Sequence, residues 1–158
     1  MIRILVVCMG NICRSPTASA VLQGEVHRRG LARSVQVDSA GTYAGHQGEK
    51  ADPRAIQVAA AAGYEHIHRE RARRVQAQDY ERCDLILAMD RDNLANLEDD
   101  CPPEHRHKLH LFLDYAGVET GGQMPDTYCR NLADFQRVLA LREEGARGVL
   151  DRVALQLP

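Results

Sequence analysis

The chain opens on a nearly continuous apolar run, Ile2, Ile4, Leu5, Val6 and Val7, which ends at Cys8 and gives way to Met9-Gly10-Asn11-Ile12-Cys13-Arg14-Ser15-Pro16. A short, β-branched run of this kind reads as a strand covered on both faces, the setting of a parallel strand in an α/β sheet. Gly10 and Asn11 permit the irregular backbone of a tight loop, and Pro16 suits the first turn of a helix. Successive amide N–H groups in such a loop converge on one point, and the helix N-terminus adds its positive end. Residues 9–15 therefore predict a cradle for a dianion of phosphate size. Arg14 carries the planar fork that holds two oxygens of such an anion at once, which a lysine point charge cannot copy. Cys8 stands in the same field. A thiol that ordinarily titrates near about 8.5 is lowered by a helix N-terminus and a neighbouring cation, so Cys8 is expected as a thiolate, with Ser15 donating a hydroxyl hydrogen bond to it. Taken singly, Cys8 is a small buried strand-end residue and Arg14 a solvated helix-start residue. Their conjunction with Gly10, Ser15 and Pro16 points to a nucleophile above an anion site.

Further strand-like runs at 2–7, 35–38, 85–88 and 108–113 alternate with helical patterns. Residues 17–29 place Ala18, Val21, Leu22 and Val26 on one stripe closed by Gly30; Pro53 opens a second helix that runs through alanines 59–62 to Gly63. A shorter helix is expected at 92–97 and the longest at 131–156, with Leu132, Phe135, Val138, Leu139, Val149, Leu150 and Val153 facing a core. Strand alternating with helix implies parallel pairing and helices on both faces of one sheet. In such folds ligands sit beyond the carboxyl ends of the strands, where the Cys8 loop falls. A chain of 158 residues, 44% of them hydrophobic, suits one domain spanning 1–158.

A formal net charge of −2 leaves no global basic field for nucleic acid. The local cluster Arg69, Arg71, Arg73 and Arg74 reads as a solvated loop or helix start. No apolar stretch approaches membrane-spanning length and no basic-then-apolar leader precedes the first strand, so a cytoplasmic protein without membrane insertion is expected. Five cysteines, an odd number, fit free thiols in a reducing compartment. Cys101, His105, His107 and His110 could ligate a metal but lack a second cluster of recognisable spacing. The segment reads as a solvated loop, and a cysteine nucleophile above a phosphate-sized anion site calls for no metal and no cofactor.

The loop resembles that of the low-molecular-weight protein tyrosine phosphatases, V-C-x-G-N-x-C-R-S-P. The likeness continues through Asp38-Ser39-Ala40-Gly41-Thr42, Asp52-Pro53-Arg54-Ala55 and Asp84-Leu85-Ile86-Leu87-Ala88-Met89-Asp90, and so spans nearly the whole chain. It implies a four-stranded parallel sheet and hydrolysis of phosphotyrosine through a cysteinyl-phosphate. Cys8 would be the nucleophile and Arg14 the phosphate clamp, with Met9, Gly10, Asn11, Ile12, Cys13 and Ser15 forming the cradle. The family's acid lies in a D-P-Y pattern, and Met124-Pro125-Asp126-Thr127-Tyr128 stands in its place, so the resemblance gives Asp126 the role of general acid and then base. Read alone, Asp126 is a turn residue, and Asp114 is the alternative acid. The resemblance further implies that Asn11 orders the loop with Ser39 beside it, and that Cys13 captures an oxidised Cys8 as a reversible disulfide, against its plain reading as a small loop filler. Ile12 and Tyr128 would wall an aryl ring.

The chain also departs from the pattern. Thr127 replaces a proline, which predicts a less stiff acid loop. Gly45, flanked by Tyr43 and His46, replaces an aromatic residue, and Cys129 replaces a second tyrosine; a wider mouth follows unless Tyr43 or His46 folds over it. Glu70 stands where many relatives carry a histidine, with His68 two residues earlier. Two other classes compete. A thiol-linked arsenate reductase would need relay cysteines past mid-chain, where only Cys83 sits, and Cys83 reads as buried. A non-catalytic phosphate-sensing module would not need Cys8, Arg14, Ser15 and Asp126 together. Ile12 beside the ester favours an aromatic phosphate over phosphoarginine. The expected partners are tyrosine-phosphorylated proteins, with a bacterial tyrosine autokinase as what the resemblance suggests.

Overall fold

The computed structural model describes residues 1–119 and 132–158. Four parallel strands, β1 (Ile2–Cys8), β2 (Val35–Gly41), β3 (Leu85–Ala88) and β4 (Leu109–Leu111), form one sheet in the order β2-β1-β3-β4. The two-residue period of β1 divides its side chains between two cores. Ile4, Val6 and Cys8 join Leu85 and Leu87 of β3 under α1 (Arg14–Arg28) and α6 (Leu132–Ala154), where Val21, Leu22, Val149 and Leu150 close the layer. Leu5 and Val7 face the other way, with Ile86 and Ala88, against Tyr80 of α3 (Ala77–Arg82) and Leu97 of α4 (Arg91–Asp100). An apolar run without alternation is the expected signature of a strand covered on both sides. A smaller cluster sets Ala59 of α2 (Pro53–Ala61) with Ala20, Ala51 and Ile67. Among the described residues no helix is long and apolar enough to cross a membrane.

The chain leaves β1 toward β2 on one side and then crosses to β3 and β4 on the other, so the order reverses at β1. Such a switch point opens a crevice at the carboxyl ends of the strands, and there Val7 pairs with Ala88 and Cys8 with Gly41.

Several boundaries differ from the periodicity. β2 runs to Gly41 rather than stopping at 38, because Ser39, Ala40 and Gly41 continue the ladder against Val6, Val7 and Cys8; these small residues carry no apolar alternation to announce a strand. β4 is shorter than 108–113: Lys108 ends a 3₁₀ turn, and Phe112 and Leu113 open α5 (Phe112–Ala116). An apolar run does not by itself distinguish a buried strand from a helix start. α1 begins at Arg14, three residues before 17. α4 covers Arg91–Asp100 rather than 92–97, with Asp90 as its cap accepting from the Asn93 N–H at 2.7 Å. The arginine cluster is also not uniformly solvated. Arg73 is half-buried, and its guanidinium grips Asp79 at 2.9 and 3.1 Å and Asp38 at 3.0 Å, partners that hold it firmly in the charged form.

Gly41 is the seat of the nucleophile loop. A Cβ there would fall 2.5 Å from the Met9 carbonyl oxygen and 3.1 Å from Asn11 Cβ. Gly41→Ala is therefore expected to displace the 9–11 turn, costing about 1–3 kcal/mol in urea unfolding and lowering kcat in parallel. An unchanged kcat would show that the loop does not depend on this close approach.

Candidate active site

β1 delivers Cys8, almost wholly buried, to the carboxyl edge of the sheet. The loop after it is tied to its surroundings through its carbonyls: Cys8 accepts from Thr42 N–H at 2.9 Å, Met9 from Tyr43 N–H at 3.0 Å and Ile12 from Asp52 N–H at 2.6 Å. Among the described residues Asn11 is the one non-glycine in the left-handed region, at φ +58°, a conformation that asparagine tolerates better than most side chains. Its side chain stabilises that conformation. Oδ1 accepts from Arg73 N–H at 3.0 Å, and Nδ2 donates to Ser15 Oγ at 2.7 Å and to Ser39 Oγ at 2.9 Å. The turned backbone aims the Asn11 N–H at Cys8 Sγ, 3.2 Å away.

Ser15 Oγ lies 3.0 Å from the same sulfur. An amide nitrogen can only donate, so Ser15 accepts from Asn11 and has its own single hydrogen left for another acceptor. The sulfur offers the shorter contact; the alternative, the Ala40 carbonyl, is 3.4 Å away. Two donors thus end on Cys8 Sγ.

Arg14 is buried at the start of α1, and its Nη1 meets Asp90 Oδ2 at 2.7 Å. The other Asp90 oxygen caps α4, so one carboxylate ties the arginine to a helix on the far side of the crevice. Asp90 appears in the sequence reading only as the end of an apolar run. Its spacing to Asn93 is an N-cap signal, whereas its pairing with a residue 76 positions earlier has no local signature.

The structure thus brings Cys8, Asn11, Ser15 and Ser39 into one hydrogen-bonded group, with Arg14 entering the crevice from the head of α1. Met9 is exposed, Ile12 half-buried and Cys13 buried at the N-cap of α1, where its carbonyl accepts from the Thr17 hydroxyl at 2.7 Å. Gly10 lies under His46, whose Cδ2 would be 3.1 Å from a Cβ added there. Tyr43 lies so close over Gly45 that a Cβ would meet its ring at 2.1 Å. Tyr43 and His46 therefore occupy the side that the sequence left open, and His46 is held by Glu49 at 2.5 Å. Asp126, Thr127, Tyr128 and Cys129 lie outside the described residues. Asp114 is exposed on α5. Cys83 precedes β3 at the amino edge of the sheet, opposite Cys8, and burial pushes its thiol up to about 11. Cys101 donates to the Pro102 carbonyl. Among the described residues no three His, Cys, Asp or Glu side chains converge as a metal site.

A buried thiol under two donors, in a strand–loop–helix cradle beside an arginine, suits a phosphoryl-transfer enzyme with a cysteine nucleophile. The family model described as low molecular weight phosphotyrosine protein phosphatase matches residues 3–157. The low molecular weight protein-tyrosine-phosphatase of Streptomyces coelicolor is 39% identical over 158 residues, covering 98% of this chain and 95% of that protein. The crystal structure of a protein tyrosine phosphatase from Entamoeba histolytica superposes with a TM-score of 0.93 at 32% identity, covering 99% of each chain. Vibrio vulnificus Wzb, solved in complex with benzylphosphonate, superposes at 0.82 with 30% identity, covering 96% of this chain and 98% of that one. The chain belongs to the low molecular weight phosphotyrosine protein phosphatase family. It is a phosphoric monoester hydrolase acting on phosphotyrosine.

Proposed function

We propose that Cys8, Arg14 and Asp126 carry out phosphotyrosine hydrolysis as two successive phosphoryl transfers, with residues 1–158 acting as one catalytic domain. Cys8 Sγ attacks phosphorus in line, so that an S–P bond forms as the P–O bond to the aryl group breaks, and the Asp126 carboxyl gives its proton to the departing phenolate. The Asp126 carboxylate then takes a proton from water. That water attacks the cysteinyl-phosphate, the S–P bond breaks, and inorganic phosphate leaves with the sulfur returned to its starting state. The amides of residues 9–15 and the Arg14 fork would hold the equatorial oxygens throughout, and electrostatic stabilisation of this kind is usually the largest single contribution to the rate. The observation that carries the reading is the convergence of Asn11 N–H and Ser15 O–H on Cys8 Sγ. Asp126 enters from the family pattern, as do Ile12 and Tyr128 as walls for the ring. The benzylphosphonate in the Vibrio relative, an aromatic phosphonate, supports an aromatic ester as substrate.

The acid is tested by leaving group. Asp126→Ala is expected to lower kcat on phenyl phosphate, a poor leaving group, by about 10²–10⁴-fold, and much less on p-nitrophenyl phosphate, whose phenolate leaves without a proton. The same pattern in Asp114→Ala, with Asp126→Ala unaffected, would reassign the acid. We further propose a cytoplasmic location and, on the resemblance alone, a tyrosine autokinase as the protein substrate; a purified phosphorylated autokinase left untouched by the enzyme would reject that partner. Arsenate reduction is disfavoured, because Cys83 lies at the opposite edge of the sheet with a thiol held protonated.

A further inference from the structure

We infer that Arg74 is a specificity-determining residue: it selects substrates with an acidic side chain close to the phosphotyrosine and receives that side chain in a groove between the nucleophile loop and α4. The inference rests on the reading of the Cys8 loop as the phosphotyrosine site and names the flanking sequence that this site prefers.

The groove, of about 300 Å³, opens beside Met9, the residue next to Cys8. Val75, Tyr80 and Leu97, all buried, lie beneath it, and Met9 and Tyr43 line its near side. These two side chains are 59% and 58% exposed; the other large apolar side chains so exposed among the described residues, Met1 and Leu155, stand near the chain's ends. Exposed apolar side chains scattered singly are ordinary, but two that share one groove at the mouth of a catalytic site offer a surface to the chain that bears the phosphate. That surface is preformed. The Tyr43 N–H donates to the Met9 carbonyl at 3.0 Å, and the Tyr43 ring lies against Gly45.

Arg74 supplies the charge. A bridge pairs it with Gly41, against which the nucleophile loop packs, so it belongs to the same side of the groove as Met9. Its backbone N–H donates to Gln47 Oε1 at 3.1 Å, which fixes the main chain there. Its guanidinium is exposed and has no ion pair or hydrogen bond among the described residues, since Asp38 and Asp79 are taken by Arg73. An open guanidinium fork matches a carboxylate with two parallel hydrogen bonds. The far side of the groove has the opposite sign. Asp100, the last residue of α4, accepts from the Tyr80 hydroxyl at 3.1 Å, and the exposed Glu98 and Asp99 precede it. These carboxylates repel an acid that travels along the groove, so an acidic side chain is held at Arg74, close to the phosphate. An extended peptide advances about 3.3 Å per residue, which places the selected acid within a few positions of the phosphotyrosine.

The test measures kcat and KM on phosphotyrosine peptides that carry a single Asp or a single Lys at each of the three positions on either side. The parent, Arg74→Ala and Arg74→Glu are compared, with p-nitrophenyl phosphate as the substrate without flanks. The parent is expected to favour Asp over Lys by about fivefold to tenfold in kcat/KM at one or two of these positions, the difference lying in KM. Arg74→Ala should bring that preference down to about twofold or less while keeping parental kinetics on p-nitrophenyl phosphate, which does not reach the groove. Arg74→Glu should reverse it. No preference for Asp in the parent, or one that Arg74→Glu leaves intact, would overturn the proposal. A parental preference for Lys would overturn it too and assign the groove to the α4 carboxylates, and an equal loss on p-nitrophenyl phosphate in Arg74→Ala would show that Arg74 supports the loop instead. A parent that hydrolyses p-nitrophenyl phosphate but no phosphotyrosine peptide, whatever its flanks, would reject the reading of the site on which the proposal rests, so the two failures are distinguishable.

Discussion

Cys8→Ser is expected to abolish turnover, a loss on the order of 10⁴-fold or more as for other nucleophile deletions, while leaving vanadate and inorganic phosphate binding detectable by calorimetry. The physical basis is the separation of the two tasks in the site. Attack on phosphorus needs a sulfur that is ionised or readily becomes so, which a serine hydroxyl at neutral pH cannot match. Anion binding needs the loop amides and Arg14, and these are held by bonds that do not pass through the sulfur. The loop carbonyls stay tied to Thr42, Tyr43 and Asp52, and the Asn11 side chain to Arg73, Ser15 and Ser39. A serine Oγ can also still accept from Asn11 N–H. Appreciable turnover by the variant would reject Cys8 as nucleophile. Loss of anion binding along with turnover would show that the sulfur organises the loop.

The second large effect is expected from Arg14→Lys, with kcat on p-nitrophenyl phosphate reduced by about 10²–10³-fold and phosphate affinity reduced less. Asp90 bonds Nη1 at 2.7 Å and is itself held by its cap on α4, so the plane of the guanidinium is set before an anion arrives. A lysine could keep either the ion pair to Asp90 or a single contact to phosphate, but a point charge lacks the width to span a carboxylate and two phosphate oxygens. The prediction is checked by comparing kcat with the inhibition constant for inorganic phosphate. A weakened inhibition constant with kcat unchanged would mean that Arg14 contributes to ground-state binding alone and would remove it from the chemistry.

Residues 2–16 were legible as they stand in the chain because each signal there is local. The apolar run, the turn residues, the helix start and the Cys–Arg spacing act over a few positions, and the backbone preferences they express do not need the rest of the fold. The helices around Val21 and Val149 were legible for the same reason, their stripes repeating at helical period, and the one around Val58 was legible from Pro53 at its start and the alanines that lead to Gly63. The end of β2 was not, because Ser39, Ala40 and Gly41 become strand only when β1 lies alongside. Phe112 and Leu113 read as strand until the α5 turn takes them.

What the amino-acid order determined by itself was the class of architecture and the identity of the anion loop, since periodicity and turn chemistry are properties of neighbouring residues. The tertiary structure alone decided which distant groups steady that loop, Asp90 on Arg14, Arg73 on Asn11 and Glu70 on Ser39, and it joins Ser39 to Asn11, a pair that the family resemblance had already named. These partners stand roughly 30 to 80 positions from the residues they hold. No short-range preference encodes such pairs; they meet because the sheet order β2-β1-β3-β4 brings the carboxyl ends of non-consecutive strands, and the loops that follow them, to one edge.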